Sequence, residues 1–222
     1  MDFVQARNRM VDGQVRPGDV TDLRILAAML ELPRERFVAP DQAGLAYTDL
    51  DLPLRGSPGG AARCMLPPRT LAKLLQTADI APADRALDVG CGTGYGAAVL
   101  SRLAAEVTAL EEDPILAGMA SQALAACGAH KAAVVEGQLT AGWPGNQPYD
   151  VIVVEGTIEV APQHLFAQLA DGGRLVCIEG RRDLAGKAMI YRSNGGVVSG
   201  RPVFDAAAPV LPGFVRPAEF VF

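Results

Sequence analysis

The chain has 222 residues, of which 50% are hydrophobic and 20% are charged, and its formal net charge at pH 7 is −5. This length can bury a sizeable core in one domain with an appendage. The negative charge and the lack of any basic run argue against nucleic acid or an anionic membrane as the main partner.

The usage of cysteine and histidine argues against a metal centre. Cys64, Cys91, Cys127 and Cys177 lie far apart and never form a C-x-x-C pair, and there are only two histidines. This pattern disfavours both a zinc site and a disulfide framework, and it fits a reducing compartment. The N-terminus lacks the apolar core of a signal peptide, and no later stretch is long enough to span a bilayer. We therefore expect a soluble cytoplasmic protein without a metal.

Apolar residues recur at helical spacing near the N-terminus. They predict helices from Phe3 to about Val15 and from Asp22 to Leu32, with Thr21 or Asp22 as the cap of the second helix. Residues 39–67 are rich in glycine and proline and show no sustained period, which is typical of a functional or mobile loop. Two prolines then suit the first turn of a further helix, which begins at Pro67 or Pro68.

From Arg85 onward, strand-like and helix-like segments alternate. The strand-like segments are RALDVG, EVTALEE, KAAVVEG, PYDVIVVEG and GGRLVCIEG, and helices are predicted in YGAAVLSRLAA, from Pro114 to Ala126 and around Gln163 to Leu169. This alternation predicts an α/β fold with a doubly wound, mostly parallel sheet. AMIYRS, GGVVSGRPVF and GFVRPAEFVF predict antiparallel edge strands at the end of the chain. We expect a division near residue 80, between an N-terminal helical segment with its loop (1–80) and a cofactor-binding core (81–222).

The stretch LDVGCGTGYG places glycine at every second position from Gly90 to Gly96, directly after a predicted strand. Such glycines allow a tight turn and let a nucleotide approach the backbone. A dinucleotide motif can be forced onto this loop with Gly92, Gly94 and Ala97. S-adenosylmethionine fits better, because Asp88 stands two residues before the first glycine, where an acid suits a cationic amino-acid group and repels a pyrophosphate.

Glu111 ends the next predicted strand, about 20 residues after the glycines, where a carboxylate can bind both hydroxyls of a ribose. Both cofactors contain that ribose. Glu111 therefore indicates a nucleoside without choosing between them, and Glu112 lies beside it.

LDVGCGTGYGAAVLSRL resembles the glycine motif of the class I methyltransferases, and in particular of the protein-L-isoaspartate O-methyltransferases. GWP with PYDVIVV, QLADGGRLV, RFVAP and AYTDLDLPL are similar to further segments of that family and occur in the same order. The resemblance implies a Rossmann-like fold and S-adenosylmethionine as the cofactor. It also implies that residues 39–67 close over the methyl acceptor.

The resemblance implies cofactor contacts from the glycine loop and from the ends of two further strands. These residues are Asp88, Gly90, Cys91, Gly92, Thr93, Gly94, Tyr95, Glu111, Glu112 and Gln138. Where the family has G-D-G for the adenine amino group, this chain has Gly137, Gln138 and Leu139. The amide oxygen of Gln138 can accept from that amino group, but it carries no charge.

The chain departs from the family on the acceptor side. Leu66 stands where the family has an active-site serine, and the loop between Leu54 and Arg63 is several residues longer. Glu155 stands where the family has small residues, at a strand end that should face the reaction site. Arg63 could pair with an acceptor carboxylate through two hydrogen bonds. We therefore take Arg63, Leu66 and Glu155 as candidate acceptor-side residues, although Arg63 and Glu155 could equally be structural.

A carboxylate acceptor is already ionised at neutral pH and needs no general base, and the sequence offers no obvious base. We therefore expect methylation of an isoaspartyl carboxylate in damaged protein, as a step of protein repair, by a monomer or homodimer. A different small-molecule or peptide acceptor is an alternative, because fold does not determine the acceptor. A non-catalytic protein that binds S-adenosylmethionine is another alternative, and a nicotinamide-dependent oxidoreductase is a distant one.

Overall fold

The computed structural model describes residues 1–181 and 184–217. Its N-terminal part is helical. α1 (Phe3–Met10) continues into a π-helical turn over Val11–Val15, and α2 spans Leu23–Glu31. The side chain of Asp22 accepts a hydrogen bond from the backbone N–H of Arg24, so Asp22 is the N-cap of α2 as predicted.

The segment predicted to be an irregular loop contains regular structure. A 3₁₀ helix spans Pro40–Leu45, and β1 (Leu52–Leu54) pairs antiparallel with β2 (Arg63–Met65). The expectation that 39–67 is wholly irregular is therefore wrong. Each strand has only three residues, which is too few to show the alternation that predicts a strand. α3 follows over Pro68–Ala78, as predicted from its two prolines.

The core is a seven-stranded sheet with the spatial order β5-β4-β3-β6-β7-β8-β9. The first five strands in this order are parallel, and the last two are antiparallel. The strands are β3 (Arg85–Val89), β4 (Glu106–Glu111), β5 (Ala132–Glu136), β6 (Tyr149–Ile158), β7 (Leu169–Glu179), β8 (Gly186–Asn194) and β9 (Val197–Ala206). This architecture confirms the predicted fold class.

Helices connect the parallel strands, namely α4 (Tyr95–Leu103), α5 (Pro114–Ala126) and α6 (Gln163–Phe166). Buried side chains form a separate cluster on each face of the sheet, so successive residues of a central strand alternate between the two clusters. In β3, Ala86 faces the cluster that contains the N-terminal helices, and Leu87 faces the other. The chain order reverses between β3 and β6, and a ligand site is expected at such a point.

Two predictions near the C-terminus need correction. The helix predicted over Gln163–Leu169 ends at Phe166, because Leu169 already begins β7 and pairs with Tyr149. The third edge strand predicted from Gly213 is absent over residues 213–217, and its remainder lies outside the described residues. Pro212 and Pro217, which bracket this stretch, lack the N–H that a strand ladder uses. Within the described ranges, no helix combines the length and apolar character needed to cross a membrane.

Candidate active site

The glycine loop lies at the carboxyl end of β3, where it forms the turn into α4. Gly90, Gly92 and Gly94 have φ angles of 79°, 57° and 90°, a region that side chains with a Cβ rarely adopt. The N–H groups of Gly90 and Cys91 both donate to the carbonyl of Leu110 in β4, at 2.9 and 3.2 Å. The loop is thus fixed to the neighbouring strand, and its backbone can be approached closely.

Glu111 is fully buried at the end of β4 and accepts four hydrogen bonds. Its Oε2 accepts from the N–H of Gly92 at 2.7 Å and from Arg63 at 2.8 Å, and its Oε1 accepts from the N–H groups of Glu112 and Asp113 at 3.0 and 3.2 Å. Burial raises the pKa of Glu111, although Arg63 and the backbone N–H groups act in the opposite direction. Glu111 therefore stands directly beside the glycine loop, where the sequence predicted a ribose-binding carboxylate.

Arg63 reaches this carboxylate from β2. Its Nη2 donates to Glu111 Oε2 and to the carbonyl of Gly90, both at 2.8 Å, and its side chain is only 3% exposed. Its Nε and Nη1 are buried and have no hydrogen-bond partner within the described ranges. The guanidinium is therefore hydrogen-bonded to Glu111 and to the glycine loop, and two of its nitrogens still have unpaired N–H donors.

Asp88 and Glu155 form a buried carboxyl pair between β3 and β6. Val89 pairs with Val154 across these strands, so Asp88 and Glu155 share one face of the sheet. Both oxygens of Asp88 and Oε1 of Glu155 have no donor in the described part of the chain, which fits two carboxyl groups that share a proton. Burial raises the pKa of Asp88 to about 7, and burial together with Asp88 raises the pKa of Glu155 well above its usual range.

Arg34, which no sequence pattern indicated as a site residue, is fully buried next to this pair. Its Nε donates to the carbonyl of Ala46 and its Nη2 to that of Leu66, both at 2.6 Å. Its guanidinium carbon lies 4.6 Å from the ring centre of Tyr95, and the charge of Glu155 acts on it. The segment around it is polar (PRERF), so only its position inside the core distinguishes Arg34 from a surface arginine.

The remaining predicted residues lie in three different surroundings. Thr93 is buried, and its hydroxyl donates to the carbonyl of Phe37 at 2.5 Å, while burial raises the pKa of the Cys91 thiol. Leu66 is fully buried in the apolar cluster and brings no polar group to the site. Glu112 and Gln138 are exposed and lie near each other, because Glu112 accepts from the N–H of Leu139 at 3.4 Å.

The β1–β2 hairpin covers the glycine loop. Leu54 and Arg63 are opposite each other in the hairpin. A Cβ on Gly92 would lie 2.7 Å from a methyl carbon of Leu54, and one on Gly90 would lie 3.0 Å from Arg63 Nη2. The loop between the two strands is held by Asp113, the N-cap of α5, which accepts from the N–H of Ser57 at 2.6 Å. The hairpin therefore shields the loop from solvent.

A doubly wound sheet with a glycine cradle after β3 and a buried carboxylate after β4 defines a class I methyltransferase, the class that uses S-adenosylmethionine. The residues fit that cofactor, because the three glycines give the cradle no side chains of its own and the buried oxygens of Asp88, which accept from no N–H group of the described residues, suit a cation. A family model of protein-L-isoaspartate(D-aspartate) O-methyltransferase matches residues 5–202. The chain belongs to this family. This confirms the predicted resemblance and the prediction that the chain is an S-adenosylmethionine-dependent enzyme.

Individual relatives agree with the family match. A protein-L-isoaspartate O-methyltransferase of Methanoregula boonei is 40% identical over 186 residues, which are 84% of this chain and 83% of that protein. One of Koribacter versatilis is 38% identical over 193 residues, or 87% of this chain and 85% of the relative. A solved structure of a protein-L-isoaspartate O-methyltransferase is 25% identical, covers 94% of this chain and 67% of its own, and has a TM-score of 0.81.

A second solved structure supports the fold alone. It is a protein-L-isoaspartate O-methyltransferase from Plasmodium falciparum in complex with S-adenosyl-L-homocysteine. It is 18% identical to this chain, with coverage of 92% of this chain and 97% of its own and a TM-score of 0.76.

Proposed function

We propose that this chain transfers a methyl group from S-adenosylmethionine to the carboxylate of an isoaspartyl residue in damaged protein. The observation that carries this proposal is Arg63, whose buried guanidinium has two unpaired donor nitrogens beside the predicted cofactor site. An arginine with free donors matches a planar carboxylate. Because the acceptor oxygen is already ionised, the reaction needs a cation to hold it and no general base.

The residues of the site would divide the work as follows. S-adenosylmethionine, when bound, supplies an electrophilic methyl group. The glycine loop would hold the cofactor against its backbone, Glu111 would bind the ribose hydroxyls, and Asp88 would face the positive charge. Glu112 and Gln138, which are exposed and lie near each other, would contact the adenine. Arg63 would hold and orient the acceptor carboxylate, while the β1–β2 hairpin would exclude water.

Methyl transfer would produce an ester on the acceptor. The following backbone nitrogen can attack the ester carbonyl and expel methanol, which gives a succinimide without further catalysis and makes the reaction a step of protein repair. We further propose the cytoplasm as the compartment, because all four cysteines are free thiols in the structure.

The decisive experiment measures radiolabelled methyl transfer from S-adenosylmethionine to two matched peptides. One contains isoaspartate, and the other contains ordinary aspartate at the same position. We expect transfer to the isoaspartyl peptide alone. Equal labelling of both peptides, or of neither, would contradict the proposal.

A different acceptor is the second candidate function, and the buried Asp88–Glu155 pair is the observation that favours it. Two carboxyl groups disfavour a third carboxylate nearby when they ionise, whereas Glu155 could accept a proton from an amine or phenol. In that case, E155Q should abolish transfer to the true acceptor while cofactor binding persists. Full activity of E155Q would remove this candidate.

Leu66 provides a test of acceptor geometry, because it stands at the position of the family's serine. If transfer to the isoaspartyl peptide is weak, we expect L66S to raise kcat/KM, since a hydroxyl could then donate to the acceptor. L66A is the matched control, because it removes the same bulk without adding a donor. An equal change in both variants would show that the acceptor is held by other groups.

A further inference from the structure

The acceptor capacity of Glu111 is already in use. A carboxylate offers about four acceptor positions, and Glu111 fills them with three backbone N–H groups and Nη2 of Arg63. The backbone donors belong to the glycine loop and to the turn into α5, so they cannot leave without dismantling the loop. Hydroxyl groups of a ribose can therefore bind Glu111 only if Arg63 gives up its position.

The buried carboxyl groups of the site explain why the Arg63 guanidinium lies beside Glu111. Arg34 and Arg63 oppose three carboxyl groups, Asp88, Glu111 and Glu155, all of them buried. One proton shared between Asp88 and Glu155, which their unpaired oxygens fit, would bring this cluster to neutrality. A buried cluster with unbalanced charge would be strongly destabilising, so a ligand that replaces Arg63 at Glu111 should bring positive charge of its own.

The methyl donor and the product of methyl transfer differ in net charge. S-adenosylmethionine carries a sulfonium in addition to its zwitterionic amino-acid group, so it has a net positive charge. S-adenosylhomocysteine has lost the sulfonium and is neutral overall. Only the donor can therefore replace the charge of Arg63 in the cluster.

Arg63 is part of the cover of the glycine loop. It pairs with Leu54 in the β1–β2 hairpin, and these two side chains lie over Gly90 and Gly92. A ligand that enters the cradle must therefore move both. The unpaired Nε and Nη1 of Arg63 could then face the acceptor.

We propose that Arg63 exchanges partners during the reaction, from Glu111 to the carboxylate of the acceptor, and that the positively charged donor drives this exchange. This inference rests on the proposed function for its acceptor half only. Arg63 is then a specificity-determining residue, because it makes the acceptor site depend on a charged donor. After transfer, the neutral product no longer balances the cluster, and the return of Arg63 to Glu111 favours its release.

The donor half of the proposal is that a positively charged ligand displaces Arg63 from Glu111. Calorimetric titration without turnover tests it. The ligands are S-adenosylhomocysteine, which is neutral, and sinefungin, in which a protonated amine replaces the methyl sulfonium. In R63M we expect sinefungin to bind about tenfold more tightly than in the unmodified protein, equivalent to about 1.4 kcal/mol, with a smaller gain for S-adenosylhomocysteine. R63K keeps the charge but cannot reproduce the guanidinium contacts. Its affinity for sinefungin should therefore lie between those of the unmodified protein and R63M.

R55M is the matched control for these titrations. Arg55 follows Leu54 on the same hairpin, but its side chain is 63% exposed and pairs with Asp41 at the surface. We expect its affinities for both ligands to stay within about twofold of the unmodified protein. Equal changes for the charged and the neutral ligand in R63M and R63K, or weaker binding of sinefungin in both, would overturn the exchange.

The acceptor half is tested by the binding of a fluorescent isoaspartyl peptide in the presence of each ligand. We expect tight binding of the peptide with sinefungin, weak binding with S-adenosylhomocysteine, and loss of this difference in R63M. Binding that is equal with both ligands would overturn this half. If the peptide is neither bound nor methylated under any condition, the proposed acceptor is wrong, while the calorimetric result still decides whether Arg63 leaves Glu111.

Discussion

At the scale of single residues, Glu111 links the glycine loop, the turn into α5 and Arg63. We expect E111Q to weaken the binding of S-adenosylhomocysteine by on the order of 1–3 kcal/mol, because an amide offers one acceptor oxygen and turns a donor toward the ribose. Calorimetry measures the loss. E106Q is the control, since Glu106 is exposed at the opposite end of β4, and equal affinities in both variants would contradict the role of Glu111.

The Asp88–Glu155 pair predicts how stability depends on pH. The folded state binds a proton with a pKa for Asp88 of about 7, whereas an unfolded carboxyl loses its proton near pH 4. The folded state therefore holds more protons between these values, and the free energy of unfolding falls as pH rises from about 4 through about 7.

We expect E155Q to flatten this fall, because the amide removes a titrating group whose pKa is raised by burial and by the neighbouring Asp88. Urea denaturation at a series of pH values between 5 and 8 measures it. D12N, at an exposed position, should retain the slope of the unmodified protein. A slope for E155Q that matches the unmodified protein would show that the pair is not the source.

At the scale of elements, Asp113 serves α5 and the hairpin loop at once. It caps the helix through the N–H groups of Ile115 and Leu116 and holds the loop through Ser57. We expect D113A to lower the free energy of unfolding by about 1–2 kcal/mol and also to change cofactor affinity, because the hairpin above the cradle loses its anchor.

D22A is the matched control for this prediction. Asp22 caps α2 in the same manner, but it contacts neither the hairpin nor the glycine loop. Chemical denaturation and calorimetry should show a similar loss of stability in D22A with unchanged cofactor affinity. If cofactor affinity is unchanged in D113A as well, the anchor does not matter for binding.

At the scale of the whole molecule, the expected division near residue 80 stays a prediction, and Arg174 offers a test of it. Arg174 in β7 donates to the carbonyls of Ala78 and Asp79 at the end of α3 and pairs with Asp84 before β3. One buried cluster also contains residues from both sides of the division, such as Leu26 and Val153. We expect a single cooperative unfolding transition, because this shared cluster joins the two parts.

Trp143 fluorescence and far-ultraviolet circular dichroism should therefore report the same midpoint in urea. We expect R174M to lower the free energy of unfolding by about 3–5 kcal/mol, and therefore to lower the midpoint in both signals together, since Asp84 and the end of α3 lose a largely buried partner. R55M, at an exposed ion pair, should leave the midpoint unchanged. Two separate transitions would establish two domains.

The sequence by itself determined the features that depend on local order along the chain. Alternating apolar strands and helices predicted the sheet, and the spacing of Gly90, Gly92 and Gly94 predicted the cradle. The position of Glu111 followed from the same logic, because the length of a strand–loop–helix unit determines where the next strand ends. The family resemblance was readable for the same reason, since its motifs are contiguous segments.

Only the tertiary structure decided which distant groups meet. The pairing of β1 with β2, the burial of Arg34, and the contact of Arg63 with Glu111 depend on residues far apart in the chain. The sequence shows that Asp88 and Glu155 each interrupt a run of apolar strand residues. Only the order of the strands in the sheet shows that these two strands are neighbours. Side chains that meet through such packing leave no periodic pattern, because each chemical environment is set by its spatial neighbours.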